Sequence, residues 1–526
     1  MHHPGNRGVP GLRAVRATGG RRAVLAGLGL TLFLFSFAGA NPGGAVSDET
    51  DQYIKAIAAG HLDLLGSKVT DQQARAAVDS WLPSINRILT SYPYYGQLAR
   101  AFSIPSSLDP RYLGCTVEYR LAACLDRRPP AATGPTETFI SELGTRQPFI
   151  FIPAGLMMRF ASDTTQALVL GRVAFALIAA WLLLGALLVA LRARPGPPLV
   201  AAIALCVTPT SVLVMSGIST SGPESAAGIA LWVALLAATE PIPRRGAWWL
   251  ALAAGLVLGV ARTTGPLWIV FILVGVVLFR GMGASWRAAR ASAKLATAAI
   301  TVVVIASAVT IGWQIVVQPA SLEKAVATLR DATPSMIGTI LSRAIATFGW
   351  GEAFPPVVIA QLWGAIVLAI AIVGVSSALA RGARREIFAL LAVGVGAVAI
   401  IAGLLAFGSQ TGVVQGRWFI APLAGIPILA GWMAASQPAG RFERTSRIVT
   451  SGAIAGVCVC LAIYWWLNAF RYSVNGGSLF FIGRTLWQPP LGWAPWLICA
   501  LLGLIALLIA GFPGGNAKQA ALNELR

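Results

Sequence analysis

The sequence predicts an all-α polytopic membrane protein, with about twelve transmembrane helices and a large polar loop after the first. Of its 526 residues, 56% are hydrophobic and 11% charged, whereas a soluble domain carries roughly 25% charged residues. Apolar runs of membrane-spanning length recur along the chain. In lipid, only helices and closed barrels provide hydrogen-bond partners for every backbone N–H and C=O group. Turns that bear several basic residues also alternate with turns that are poor in Lys and Arg.

The chain opens with a basic segment, 1–22, and an apolar run, 23–40. Ala38-Gly39-Ala40 resembles a signal-peptide cleavage site, so a cleaved signal is one interpretation. The run is long for the apolar part of a signal peptide. We therefore favour an uncleaved first transmembrane helix.

The segment 41–167 is the long polar stretch of the chain. Of the 20 acidic residues, 11 lie between Asp48 and Glu142. If this segment is extracytoplasmic, we expect Cys115 and Cys124 to form a disulfide that closes a short loop. The other four cysteines lie in apolar runs, where a thiol is expected to be an inert packing group.

Two blocks of apolar runs follow. We expect helices 2 to 7 in 168–317 and helices 8 to 12 in 357–512, separated by an amphipathic extracytoplasmic loop at 318–356. An aromatic-rich outer loop lies at 468–492, and a cytoplasmic tail at 513–526. The runs after the first are 168–191, 198–216, 224–239, 247–262, 266–280, 295–317, 357–380, 386–407, 418–435, 448–467 and 493–512.

The positive charge is concentrated in alternate turns. A net charge of +20 would suggest nucleic-acid binding in a soluble protein, but basic residues in short turns between apolar helices set topology instead. The rule that such turns are cytoplasmic places both termini inside and 41–167 outside a plasma (inner) membrane. The basic turns hold Arg192, Arg194, Arg244, Arg245, Arg280, Arg287, Arg290, Lys294, Arg381, Arg384, Arg385, Arg441, Arg444 and Arg447.

An acidic cluster, Asp48, Glu49 and Asp51, follows the first helix directly. One interpretation is a solvated cluster in which Asp48 caps the next helix. A carboxylate at the outer surface can also act as general base toward an acceptor hydroxyl, and we predict this catalytic role for Asp48 or Glu49. A third alternative is that the cluster holds a divalent cation that neutralises a phosphate.

Charged residues also lie in or at the ends of apolar runs, at Arg172, Glu224, Arg262 and Arg417. Such groups cost roughly 2.5–3.5 kcal/mol each at mid-bilayer, so they tend to be paired or functional. For Arg172 and Glu224, one interpretation is an internal ion pair or side chains that reach the interface, and the other is a functional role. Arg262 and Arg417 fall in outer turns, where a guanidinium suits a lipid phosphate.

Four stretches carry motifs in a shared order. They are Ser47-Asp48-Glu49; Ser219-Thr220-Ser221-Gly222-Pro223-Glu224; Gln415-Gly416-Arg417-Trp418-Phe419-Ile420-Ala421-Pro422; and Arg471-Tyr472 with Trp487-Gln488-Pro489-Pro490-Leu491-Gly492. Together they resemble the actinobacterial branch of domain-of-unknown-function family 2142, a set of membrane proteins similar to C-type (GT-C) glycosyltransferases. In the first motif Ser47 replaces the family's proline and no histidine follows closely, which leaves the choice of carboxylate open.

The resemblance implies a GT-C-like fold and a sugar taken from a polyprenyl-phosphate donor on the outer face. The leading hypothesis is an inverting cell-envelope glycosyltransferase with an envelope glycan or lipid as acceptor. Its substrate-binding residues would be Arg417, Gln415, Arg262 and Glu224. The alternatives are a transporter or flippase for an envelope precursor, and a non-catalytic membrane scaffold of the same fold.

Overall fold

A computed structural model describes residues 10–74, 76, 98–114, 122, 134–241, 245–317, 333–349, 355–407, 414–436, 443–474 and 479–512. The helices are α1 Pro10–Ala40, α2 Glu49–Gly60, α3 Ile152–Met158, α4 Thr164–Ala193, α5 Pro197–Cys206, α6 Pro209–Met215, α7 Ser221–Ala238, α8 Arg245–Ala261, α9 Gly265–Arg280, α10 Met282–Ala291, α11 Ala293–Val317, α12 Pro334–Ile345, α13 Val357–Ala380, α14 Arg384–Phe407, α15 Ile420–Leu423, α16 Gly425–Ala434, α17 Glu443–Ser473 and α18 Trp493–Gly511.

Every apolar run predicted from the sequence contains helix. Within the described residues, 9 helices are long and apolar enough to cross a membrane, or up to 11 when each of two bent helix pairs is taken as one span. The bent pairs are α5 with α6, at 68°, and α9 with α10, at 106°. The prediction of an all-α polytopic membrane protein is therefore confirmed.

The break between α5 and α6 has a local cause. Pro209 begins α6, and a proline disfavours helical geometry in the residue before it, Thr208. The Thr208 hydroxyl accepts from the Ser211 N–H at 3.1 Å and donates to the Ala344 carbonyl at 2.9 Å. The Ser211 N–H, one of the donors that the start of α6 leaves open, is thus satisfied by a side chain.

The helices alternate in direction between two sides of the bundle. We name the side with the polar segment 41–167 the loop side, and the opposite side the far side. Arg194, Glu240 and Arg280, each just beyond or at the end of a different helix, meet in ion pairs on the far side. The Cys499 thiol in α18 lies 3.3 Å from the Leu32 carbonyl in α1. Because α1 ends on the loop side and α18 begins there, both ends of the described chain lie on the far side.

The polar segment contains a small sheet that the sequence analysis did not predict. Its strands are β1 Ser67–Lys68, β2 Arg100–Pro105 and β3 Thr136–Ser141, antiparallel in the order β1-β2-β3. Buried Lys55 in α2 donates to the Gly144 carbonyl at 2.6 Å and lies 4.9 Å from the centre of the Phe102 ring. The sheet is thereby attached to α2. Cys115 and Cys124 lie outside the described residues, so their disulfide stays a prediction.

Two glycines set the position of α2. A Cβ atom at Gly155 would lie 2.0 Å from the Ala56 carbonyl oxygen, and one at Gly60 would lie 2.3 Å from the Gly155 oxygen. No side chain fits at either position. This close contact joins the C-terminal half of α2 to α3 on the loop side of the bundle.

Candidate active site on the loop side

Asp48 directs its carboxylate at Arg417. Its backbone is left-handed, with φ 61° and ψ 13°, and its side chain makes no capping hydrogen bond to α2. The interpretation of Asp48 as a helix cap is therefore wrong. Instead, Arg417 Nη2 donates to Asp48 Oδ2 at 2.5 Å and Arg417 Nη1 donates to the Ser47 carbonyl at 3.0 Å. A non-glycine residue in this conformation costs about 1–3 kcal/mol, a cost tolerated mainly at functional sites.

Arg417 comes from a short 3-10 helix, Gly416–Phe419. A Cβ atom at Gly416 would lie 2.3 Å from the Ala344 backbone nitrogen, so glycine allows this turn to pack directly on α12. Within the described part of the chain, Arg417 Nε and Gln415 Oε1 are buried without a hydrogen-bond partner. Buried polar groups are usually paired, so two unpaired atoms in one turn make it a candidate ligand site.

Arg262 is held beside this turn by Glu224. Glu224 Oε1 accepts from Thr264 Oγ1 at 2.7 Å and from Trp268 Nε1 at 3.1 Å. Arg262 Nη1 lies 3.4 Å from Glu224 Oε2, and the guanidinium lies 4.9 Å from the centre of the Trp418 ring. Of the two explanations for Glu224, the structure shows the internal ion pair.

Glu49 points away from this group. Arg172 donates to both of its oxygens, from Nε to Oε1 at 2.8 Å and from Nη2 to Oε2 at 2.6 Å. The N–H groups of Gly44 and Ile218 donate to the same two oxygens at 3.0 and 3.1 Å. The carboxylate is thus fully occupied and buried. Of the two carboxylates predicted as the base, only Asp48 lies against Arg417.

The three acidic residues after α1 do not converge. Asp48 faces Arg417, Glu49 faces Arg172, and Asp51 Oδ1 accepts from the Glu142 N–H at 2.8 Å. Among the described residues, no group of three or more His, Cys, Asp or Glu side chains is placed to hold a metal ion.

Arg146 joins Asp48, Arg262 and Arg417 in this site, and the sequence analysis missed it. Its charge acts on Asp48, Asp51 and Arg262, yet it makes no ion pair within 4.0 Å with a described residue. With the Gln147 amide turned so that its oxygen faces the next turn, that oxygen accepts from the Arg262 N–H at 3.2 Å. The two arginine-bearing turns are thereby joined. We call Arg146, Arg262 and Arg417 the arginine cluster.

The charges of the cluster control the titration of the acids. Burial alone would raise the pKa of Asp48, but the charges of Arg417 and Arg146 outweigh it and hold that pKa below its usual value. Burial raises the pKa of Asp51 to about 6, against the hydrogen bond from the Glu142 N–H. Burial lowers the pKa of Arg146, although a guanidinium stays charged at any physiological pH. Asp48 is therefore ionised, and Arg146 contacts no carboxylate of the described residues directly.

These residues lie within the part of the chain that a known family covers. A family model described as "Predicted membrane protein (DUF2142)" matches residues 31–426, which include Asp48 and the arginine cluster. No curated protein and no solved structure matches the chain. The chain therefore belongs to domain-of-unknown-function family 2142, a family of membrane proteins.

Proposed function

We propose that this protein is an inverting glycosyltransferase that moves a sugar from a polyprenyl-phosphate donor to an envelope glycan or lipid acceptor. The observation that carries this proposal is the carboxylate of Asp48 held against the arginine cluster on the loop side of a membrane bundle. A base next to anion-binding groups is the pair of functions that sugar transfer from a lipid phosphate requires.

The orientation we propose places the loop side outside the cell. Arg194 and Arg280 lie on the far side, as does Arg381 at the end of α13. Basic residues favour the cytoplasmic side of a plasma membrane. The far side, with both ends of the described chain, is then cytoplasmic, and a donor lipid meets Asp48 at the outer surface.

In this proposal the arginine cluster binds the donor phosphate. Among the described residues, Arg146 forms no ion pair with a carboxylate, and the buried Nε of Arg417 has no hydrogen-bond partner. Forked guanidinium donors suit phosphate oxygens. Gln415 contributes an amide oxygen for a sugar hydroxyl, while Glu224 positions Arg262 rather than touching the donor.

The chemical step uses Asp48 as the base. Asp48 takes the proton of the acceptor hydroxyl, and the acceptor oxygen attacks the anomeric carbon from the face opposite the phosphate. The bond between that carbon and the phosphate oxygen breaks, and its electron pair leaves with the phosphate. A phosphate on Arg417 also neutralises the charge that lowers the pKa of Asp48, so donor binding makes Asp48 a stronger base.

Arg146→Ala should weaken binding of a polyprenyl phosphate by roughly tenfold to a hundredfold, because a hydrogen bond to a charged group is worth about 1.5–3 kcal/mol. The measurement is equilibrium binding of the labelled lipid to the full chain in nanodiscs. Arg159→Ala is the matched control, since Arg159 is an exposed arginine on the same side. Equal weakening in both variants would show attraction by general charge rather than a site.

The function itself is tested by incubating purified protein with radiolabelled polyprenyl-phosphate sugars and envelope acceptors. We expect a new glycosidic bond. Movement of substrate across proteoliposomes without such a bond would identify a transporter. Absence of transfer with any donor, together with tight binding to another envelope enzyme, would identify a scaffold.

A further inference from the structure

An apolar groove opens between three helices on the loop-side half of the bundle. Its volume is about 660 Å³, and it lies between α4, α8 and α11 beneath the segment that leads into α3. All of its lining side chains are apolar, among them Phe149, Trp181, Val260, Ile305 and Val309. Such a surface offers no partner for a glycan or for a polar headgroup.

The groove and the arginine cluster share two pieces of chain. Val260 lines the groove near the end of α8, and Arg262 follows two residues later. Likewise, Phe149 lines the groove three residues after Arg146. The groove therefore ends close to the positive charges.

The segment above the groove is fastened to α11. Trp313 Nε1 donates to the Thr145 carbonyl at 2.9 Å, and the Trp313 and Phe149 rings meet edge to face at 5.8 Å. These contacts hold Arg146, next to Thr145, at the loop-side end of the groove.

We infer that this groove binds the isoprenoid chain of a lipid whose phosphate lies on the arginine cluster, an inference that rests on the proposed function. An apolar groove that ends at cationic groups is complementary to a molecule with a long hydrocarbon chain and an anionic end. Its volume falls within the range of roughly 300–1,000 Å³ that is usual for small-molecule sites. Trp181 and Ile305 are 58% and 56% exposed on the bundle surface, so the chain enters sideways from the bilayer.

The test fills the groove without touching the cluster. Ile305→Trp should raise the Kd for a long polyprenyl phosphate about tenfold, because the indole takes the space of the chain. It should leave the Kd for a short isoprenyl phosphate unchanged. Ile300→Trp is the matched control: Ile300 is 57% exposed on the same helix and does not line the groove. This variant should bind both lipids as the unaltered protein does.

Any of four results would contradict the assignment of the groove to an isoprenoid chain. The first two are an unchanged affinity for the long lipid in Ile305→Trp and an equal loss of affinity in Ile300→Trp. The third is a two-chain phosphatidic acid that displaces the polyprenyl phosphate with equal affinity, which would show a general lipid contact.

A polyprenyl phosphate with a photoreactive tail, bound to the unaltered protein, should label peptides of α8 and α11. Labelling elsewhere is the fourth contradicting result. These assays contain no transfer step, so they test lipid binding separately from catalysis. If the lipid binds in the groove but no sugar is transferred, the proposed enzymatic activity is contradicted and the lipid site is not.

Discussion

Replacing Asp48 with asparagine should reduce sugar transfer by roughly 10²–10⁴ in rate while leaving donor binding nearly intact. The amide keeps the size of the carboxylate and its contact with Arg417 but cannot take the proton of the acceptor. The measurement is single-turnover transfer from a radiolabelled polyprenyl-phosphate sugar, with donor binding measured separately on the same preparation.

The control for Asp48→Asn is Glu137→Gln. Glu137 is a carboxylate of the same polar segment, paired with Arg111 at 2.9 Å rather than with an arginine of the cluster. Its variant should transfer at the normal rate. Full activity in Asp48→Asn would remove Asp48 from the chemistry.

Replacing Arg172 with alanine should lower the free energy of unfolding by about 3–5 kcal/mol, because it leaves the buried charge of Glu49 without its partner. The side chains of this pair are 2% and 0% exposed. Arg172 also donates to the carbonyls of Asn41 at 2.6 Å and Pro42 at 2.7 Å, which joins α4 to the end of α1. The measurement is reversible unfolding in detergent or bicelles.

Two further variants make this result specific. Arg447→Ala breaks an exposed i,i+4 pair with Glu443 and should cost at most about 1 kcal/mol. Replacing Glu49 with leucine and Arg172 with methionine together should recover only part of the loss. Neither charge is then left alone, but the backbone groups that bond to the two side chains lose these partners. If Arg172→Ala lowers the free energy of unfolding no more than Arg447→Ala does, Glu49 is not held in a structural ion pair. Glu49 would then again be a candidate for the catalytic base.

The membrane fold could be predicted because lipid leaves the backbone few choices. A long apolar run must form helix in the bilayer, so every run found in the sequence contains helix. The bend at Pro209 and the sheet of β1, β2 and β3 were not predicted. The bend lies where a proline interrupts an apolar run. The sheet pairs short strands that long stretches of polar chain separate in the sequence, so no local pattern indicates the pairing.

The candidate site could be predicted only in part. Arg262 and Arg417 stood out because charged groups at the ends of apolar runs are costly. The partner of Glu49 is 123 residues away, and no local pattern indicates that Arg172 takes it. Arg146 is one arginine among many in a basic chain, and only the fold of the polar segment places it beside Asp48.

The most direct test of the proposed site is a cryo-electron microscopy structure with a polyprenyl phosphate bound. We expect the phosphate within hydrogen-bond distance of Arg146 and Arg417, beside Asp48, with its chain leading into the groove between α8 and α11. A phosphate bound on the far side, near Arg194 and Arg280, would contradict the account, as would a lipid that contacts none of the arginine cluster.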